Sequence, residues 1–157
     1  MKDHTELLEN YFLAFSKQQA KEMIACYHPE VTYYDPVFKH LNALDVRQMW
    51  EMLLDQRKGA IQIEYGNISA DENSGKVKWN ATYIFSKTHR KVVNRVSSEF
   101  EFKNGLIFNQ KDTFNLWRWS RQAFGLKGLL FGWTSFMQTK IRTMARQSLF
   151  KFHALKV

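Results

Sequence analysis

His28-Pro29-Glu30-Val31-Thr32-Tyr33-Tyr34-Asp35-Pro36-Val37-Phe38 is where the chain turns from helix to strand, and its reading sets the fold class. A helical segment stops at Pro29, which cannot continue it. Val31 to Tyr34 then reads as a short β-rich run, ended by the Asp35-Pro36 step because proline lacks the amide that a central ladder needs. Asp35 is left between apolar neighbours, Tyr34 before it and Val37 after it. A carboxylate so placed is either a structural cap or a general base in a pocket.

Upstream, residues 3–17 read as a first helix, with Leu7, Leu8, Tyr11, Phe12 and Phe15 in one apolar stripe. Tyr11 sits inside that stripe, so its hydroxyl needs a partner. Residues 19–27 form a short second helix with Met23, Ile24 and Tyr27 inward, and His28 marks its surface end. Downstream, Asn42 is a helix N-cap, with Asp45 three residues on. The helix over 43–57 carries Val46, Met49, Trp50 and Leu53 and is closed by Gly59.

From there the apolar period changes from 3.6 to 2. Ile61, Ile63 and Tyr65 open one strand, and Asp71 to Gly75 is a turn by composition. Val77, Trp79, Ala81, Tyr83 and Phe85 alternate with polar residues along the next strand. A turn at Thr88-His89-Arg90 leads into 91–102, and Asn104-Gly105 is a hairpin signal before 106–116. The middle of the chain is thus an antiparallel meander. The last forty residues revert to helix: a glycine-punctuated, Trp-rich segment, then an amphipathic helix whose stripe includes Phe136, Ile141, Ala145, Ser148 and Leu149. This order predicts an α+β domain in which helices cover the concave face of a curved antiparallel sheet. Residues 1–116 form the cone-like domain and 117–157 a helical extension of it.

The composition narrows the function. The chain has 157 residues, enough for one domain with a proper core, and 13 Phe, 6 Tyr and 5 Trp to fill that core or line an apolar cavity. Its one cysteine, Cys26, excludes an internal disulfide and fits a reducing cytosol, where core thiol is its expected fate. No signal-peptide pattern and no apolar run of about 18 residues is present, so a cytoplasmic location is expected. No His/Cys/Asp/Glu set has metal-ligand spacing and no phosphate-binding glycine loop occurs, so neither a metal nor a cofactor is expected. The net charge of +8 is uneven: residues 1–110 hold 14 basic and 14 acidic residues, whereas 111–157 hold 9 basic residues and Asp112 alone. Such a tail suits an acidic partner or is a solvated helix face.

Around the Tyr11 helix, the Tyr34-Asp35-Pro36-Val37 stretch and the Asn104-Gly105 hairpin, the chain resembles the nuclear transport factor 2-like superfamily. This cone-shaped α+β fold is shared by SnoaL-like polyketide cyclases and ketosteroid isomerases. The resemblance covers roughly 3–116. It implies Asp35 as a general base, Tyr11 as an oxyanion donor, and a homodimer paired through the convex sheet face. The isomerases carry a second acid just before a Phe-x-Phe segment; here that segment is Phe100-Glu101-Phe102, and Ser98 stands in the acid's place. A serine is no strong neutral-acid donor to an enolate, so steroid isomerisation itself is not implied.

Strand alternation supplies an independent set of inward polar groups. Gln110 and Asp112 accompany Leu106, Phe108, Phe114 and Leu116, while Asn94 and Ser98 accompany Val92, Val96, Phe100 and Phe102. The functional reading is a pocket for a small apolar molecule, lined by Tyr33, Trp50, Trp79, Tyr83, Asn94, Ser98 and Gln110. Asp35 is its base, Asp112 the acid or electrostatic partner and Tyr11 the oxyanion donor, giving lyase, isomerase or cyclase chemistry on a carbonyl compound. The structural alternative pairs Asp112 with Arg95, Arg118 or a helix N-terminus and leaves Asp35 to cap the following helix. For the tail, packing over the open mouth of the cone or across a dimer ranks first. An anionic membrane surface met by Arg118, Arg121, Lys127 and Trp133 ranks second. Nucleic acid is a distant third, because no binding module supports it.

Overall fold

The computed structural model describes residues 4–55 and 59–156, so Asp3 and residues 56–57, assigned to helix ends from the sequence, lie outside it. Helix α1 (Thr5–Ser16) buries Leu8, Tyr11, Phe12, Ala14 and Phe15, the stripe its spacing dictates. Helix α2 (Ala20–Ile24) is shorter than its apolar pattern. Strand β1 (Tyr27–Asp35) claims Tyr27 and His28 instead. A residue before proline avoids the helical region, which makes His28 extended and puts Pro29 inside the strand. The proline is tolerated because β1 is irregular between Tyr27 and Thr32 in its pairing with β7. His28 is therefore no surface helix end: it is 8% exposed, and its Nδ1 accepts the Glu30 amide at 3.1 Å.

Asp35-Pro36 does end β1, and the chain then makes a tight hairpin into β2 (Lys39–Leu41), with Asp35 paired to Lys39. Asp35 accordingly does not cap the next helix. Its Oδ1 accepts the amides of Val37 and Phe38 at 2.7 and 2.6 Å, closing the turn. Helix α3 (Ala43–Leu53) is capped by Asn42, whose side chain accepts the Asp45 amide at 2.9 Å.

Strands β3 (Gln62–Tyr65), β4 (Ser69–Ala70), β5 (Ser74–Phe85), β6 (Arg90–Lys103) and β7 (Leu106–Thr113) come after α3. They form one sheet in the order β2-β1-β7-β6-β5-β3, with β4 beside β5. Asn104 and Gly105, both at positive φ, make the β6–β7 turn. Among the described residues all the pairings are antiparallel except one: β1 runs parallel to β7, with Tyr33 opposite Gln110. The α+β architecture holds, with a curved, unclosed sheet whose core meets α1 and α3. A bulge between Glu101 and Phe102 corrects the alternation on β7: Ile107 is fully buried, while Leu106 and Phe108 are not. Past the bulge, Gln110 and Asp112 face inward.

The tail divides into α4 (Leu116–Phe124), α5 (Leu126–Phe131) and α6 (Ser135–Lys156). Trp119, Ala123 and Ile141 build a second apolar cluster with Val92, and Leu149 joins the main core. Helix α6 is fastened to the β1–β2 hairpin. Arg142 Nε donates to the Pro36 carbonyl at 3.0 Å, and the Arg146 guanidinium donates to the carbonyl of Phe38.

Candidate active site

Pairing geometry assembles the site. Tyr33 and Asp35 share one face of β1, and Gln110 and Asp112 share one face of β7, because side chains two apart point the same way. With β1 and β7 parallel and Tyr33 beside Gln110, the next inward pair is Asp35 and Asp112. Ser98 lies directly opposite Asp112 on β6.

The hydroxyl of Tyr33 lies 2.9 Å from Oδ2 of Asp35 and 2.9 Å from Oδ2 of Asp112. It has one proton and can donate to only one carboxylate at a time. The second short contact is favourable when the other acid carries its own proton. Asp35 is the natural anion of the pair, because its Oδ1 already accepts two backbone amides. Asp112 is the natural neutral acid. It is 2% exposed, and burial pushes its carboxyl up to about 6, reinforced by the nearby Asp35 charge and opposed by hydrogen bonds from Ser98, Gln110 and Tyr33. Ser98 Oγ donates to Asp112 Oδ1 at 2.5 Å, and Gln110 Nε2 donates to the same oxygen at 3.0 Å. Neither Arg95 nor Arg118 is among these partners, so the salt-bridge alternative for Asp112 is replaced by a neutral network. Asp35 is likewise raised, chiefly by burial and against the amides of Phe38 and Val37.

Both carboxylates line a cavity of about 400 Å³, within the usual range for small-molecule sites. Its walls are mostly apolar: Phe15, Trp50, Trp79, Ala81, Val96 and Phe114 from the cone, and Trp119, Ile141, Met144 and Ala145 from the tail. Tyr33, Tyr83 and Asn94 also line it. Two of its lining residues, Leu53 and Ile84, are 46% and 57% exposed.

Three of the residues expected in the pocket stand behind it instead. Tyr11 is fully buried and absent from the lining; its hydroxyl lies 3.0 Å from Gln110 Oε1 and 3.0 Å from the Tyr27 hydroxyl. Gln110 accepts from Tyr27 at 2.6 Å, and Trp50 Nε1 donates to Tyr27 at 2.7 Å. Ser98 accepts from Trp79 Nε1 at 2.7 Å and holds Asp112 rather than a ligand. A second row of hydroxyls and amides therefore orients the front pair. Tyr27, assigned to a helix from the sequence, is the member of that row the sequence hides. The cavity-facing residues of α6 were visible only as an apolar stripe.

Residues 8–110 match the SnoaL-like domain. The chain belongs to this SnoaL-like family. A search of curated proteins finds no match. Among solved structures, this SnoaL-like chain is similar to an NTF2-like protein of unknown function from Burkholderia pseudomallei, with 12% identity over 80% of this chain and 100% of that one and a TM-score of 0.65. It is similar to an LEH-like epoxide hydrolase of M. tuberculosis, with 18% identity over 81% and 92% of the chains and a TM-score of 0.59. It is also similar to the epoxide hydrolase/cyclase-like enzyme SalBIII, with 18% identity over 72% and 91% and a TM-score of 0.61. At these identities the likeness establishes the fold. The SnoaL-like match ends at residue 110, so Asp112 and the tail walls of the cavity lie beyond it.

Among the described residues, Cys26 takes no part in the site; it is buried beside α2, and burial pushes its thiol up to about 11.

Proposed function

We propose that the chain binds a small apolar carbonyl compound in the cavity and catalyses proton transfer on it, as an isomerase or cyclase would. The observation that carries this reading is a pair of buried carboxylates sharing the single proton of Tyr33 at the floor of an apolar chamber. Like charges so close push their titrations apart, giving one base and one acid. Asp35 takes a proton from the carbon next to the carbonyl. The C–H electron pair becomes a carbon–carbon double bond and the carbonyl π pair moves onto the oxygen, which takes a proton from Tyr33, and Tyr33 is refilled from Asp112. Return of the first proton from Asp35 to another carbon of the conjugated enol, with the O–H proton passing back through Tyr33 to Asp112, completes an isomerisation. Attack of the enol carbon on a second carbonyl closes a ring, the O–H proton returning through Tyr33 to Asp112 and the Asp35 proton going to the new alkoxide. Tyr33 thus fills the hydroxyl-donor place that the family resemblance assigns to Tyr11. The SnoaL-like fold and the cyclase-like name of SalBIII support the reaction class.

The test needs no natural substrate. A panel of apolar ketones and enones is incubated with protein in D₂O, and deuterium entry next to the carbonyl is followed by NMR. The wild type exchanges at least one ketone catalytically, and the rate falls as pH rises through about 6, where Asp112 loses its proton. Asp35→Asn loses about 10²–10⁴-fold of that rate while remaining folded. Full exchange by Asp35→Asn removes the base from the mechanism.

A further inference from the structure

Helix α5 is packed inside out. A Cβ at Gly128 would fall 1.9 Å from the Ser120 carbonyl oxygen, and one at Gly132 would fall 2.0 Å from the Ser120 Oγ. These two positions, four apart and on one helical face, press directly on α4. The bulky side chains of α5 are consequently turned to solvent: Leu126 is 69% exposed, Leu130 52% and Phe131 55%, and beyond the helix Trp133 is 66% exposed and Phe136, at the start of α6, 76%. A surface helix ordinarily does the reverse, burying leucines and exposing small or charged residues. Large apolar side chains exposed together along one stretch of chain mark an interaction site.

The charge around it selects the occupant. Arg118 on α4, Lys127 on α5 and Lys140 on α6 are all exposed, and residues 113–157 contain eight Lys and Arg with no Asp or Glu. Arg121 lies over the Trp117 ring at 4.9 Å and Lys140 over the Phe136 ring at 5.6 Å, so cations and rings sit side by side. A second copy of the chain would bring two basic faces together with no acid on either. An anionic bilayer offers acyl chains to the rings and headgroup charge to the cations.

We propose that the α5 face and the start of α6 form a peripheral docking surface for anionic membranes. Among the described residues no helix is long and apolar enough to cross a bilayer, and the surface lies along the interface instead.

The test is co-sedimentation of the full chain with phosphatidylcholine vesicles, with and without phosphatidylglycerol, over a salt series. The expected result is pelleting that requires phosphatidylglycerol and weakens as salt rises. The double variant Leu130→Asp/Trp133→Asp weakens it at least tenfold. Lys127→Gln, a milder surface change, weakens it about fivefold, as one lost charge at an anionic leaflet should. Equal pelleting with both vesicle types, or wild-type binding by both variants, overturns the proposal. So does an absence of pelleting together with a concentration-dependent dimer that the double variant abolishes, which would make the surface a contact between copies.

Discussion

Replacing Asp112 by Asn should make the protein more stable at neutral pH, and the geometry gives both size and sign. The introduced asparagine keeps an oxygen to accept from Ser98 and Gln110, and its amide donates to Tyr33, which then donates to Asp35. It reproduces the neutral acid in every contact. In the wild type, the Asp112 carboxyl moves from 3.8 to about 6 on folding, mainly through burial. The folded state holds this proton more tightly than the unfolded chain does, so stability falls as pH rises from about 4 to about 6 and stays lower above that. At about 1.4 kcal/mol per pKa unit, the ionised carboxylate costs about 3 kcal/mol at pH 7. Urea unfolding of both proteins at pH 4 and pH 7 measures the difference, since every other titrating group is common to both. The expected outcome is near equality at pH 4 and a gain of about 3 kcal/mol for Asp112→Asn at pH 7. The slope that persists in the variant belongs largely to Asp35. A variant less stable at pH 7, or shifted equally at both pH values, would refute the neutral-acid assignment.

Two further substitutions separate parts of the structure. Gly128→Ala drives a methyl group into the Ser120 carbonyl, so it should cost on the order of 1–3 kcal/mol, read as a lowered melting temperature by circular dichroism. An unchanged melting temperature would show that α5 does not lie against α4 as described. Tyr33→Phe should slow ketone exchange at least tenfold, whereas Tyr11→Phe should leave the exchange rate within a few-fold of wild type and lower stability by about 1–2 kcal/mol. The opposite ranking would return the donor role to Tyr11.

The local chemistry of this chain was legible in its sequence wherever one segment decides its own structure. The Tyr11 stripe made α1, Asn42 made a helix start, and Asn104-Gly105 made a hairpin because positive φ suits those two residues. Period-2 alternation turned Asn94, Ser98, Gln110 and Asp112 inward, although the bulge at Phe102 moved the neighbouring apolar position to Ile107. What a strand's own pattern does not carry is its partner. Only the parallel pairing of β1 with β7 sets Asp35 beside Asp112; an antiparallel pairing through Tyr33 and Gln110 would send them apart. The same long-range contacts put Tyr11 behind Gln110 rather than in the cavity and brought Ile141 and Met144 to its wall. An apolar stripe states that a face is buried, not whether it meets a close-packed core or an open chamber. For α5 the composition gave apolar residues and glycines together, and packing against Ser120 decided that the glycines go in and the leucines stay out. Residue types and periodicity fix which groups must be buried, while tertiary pairing fixes which of them meet, and this site is made of such meetings.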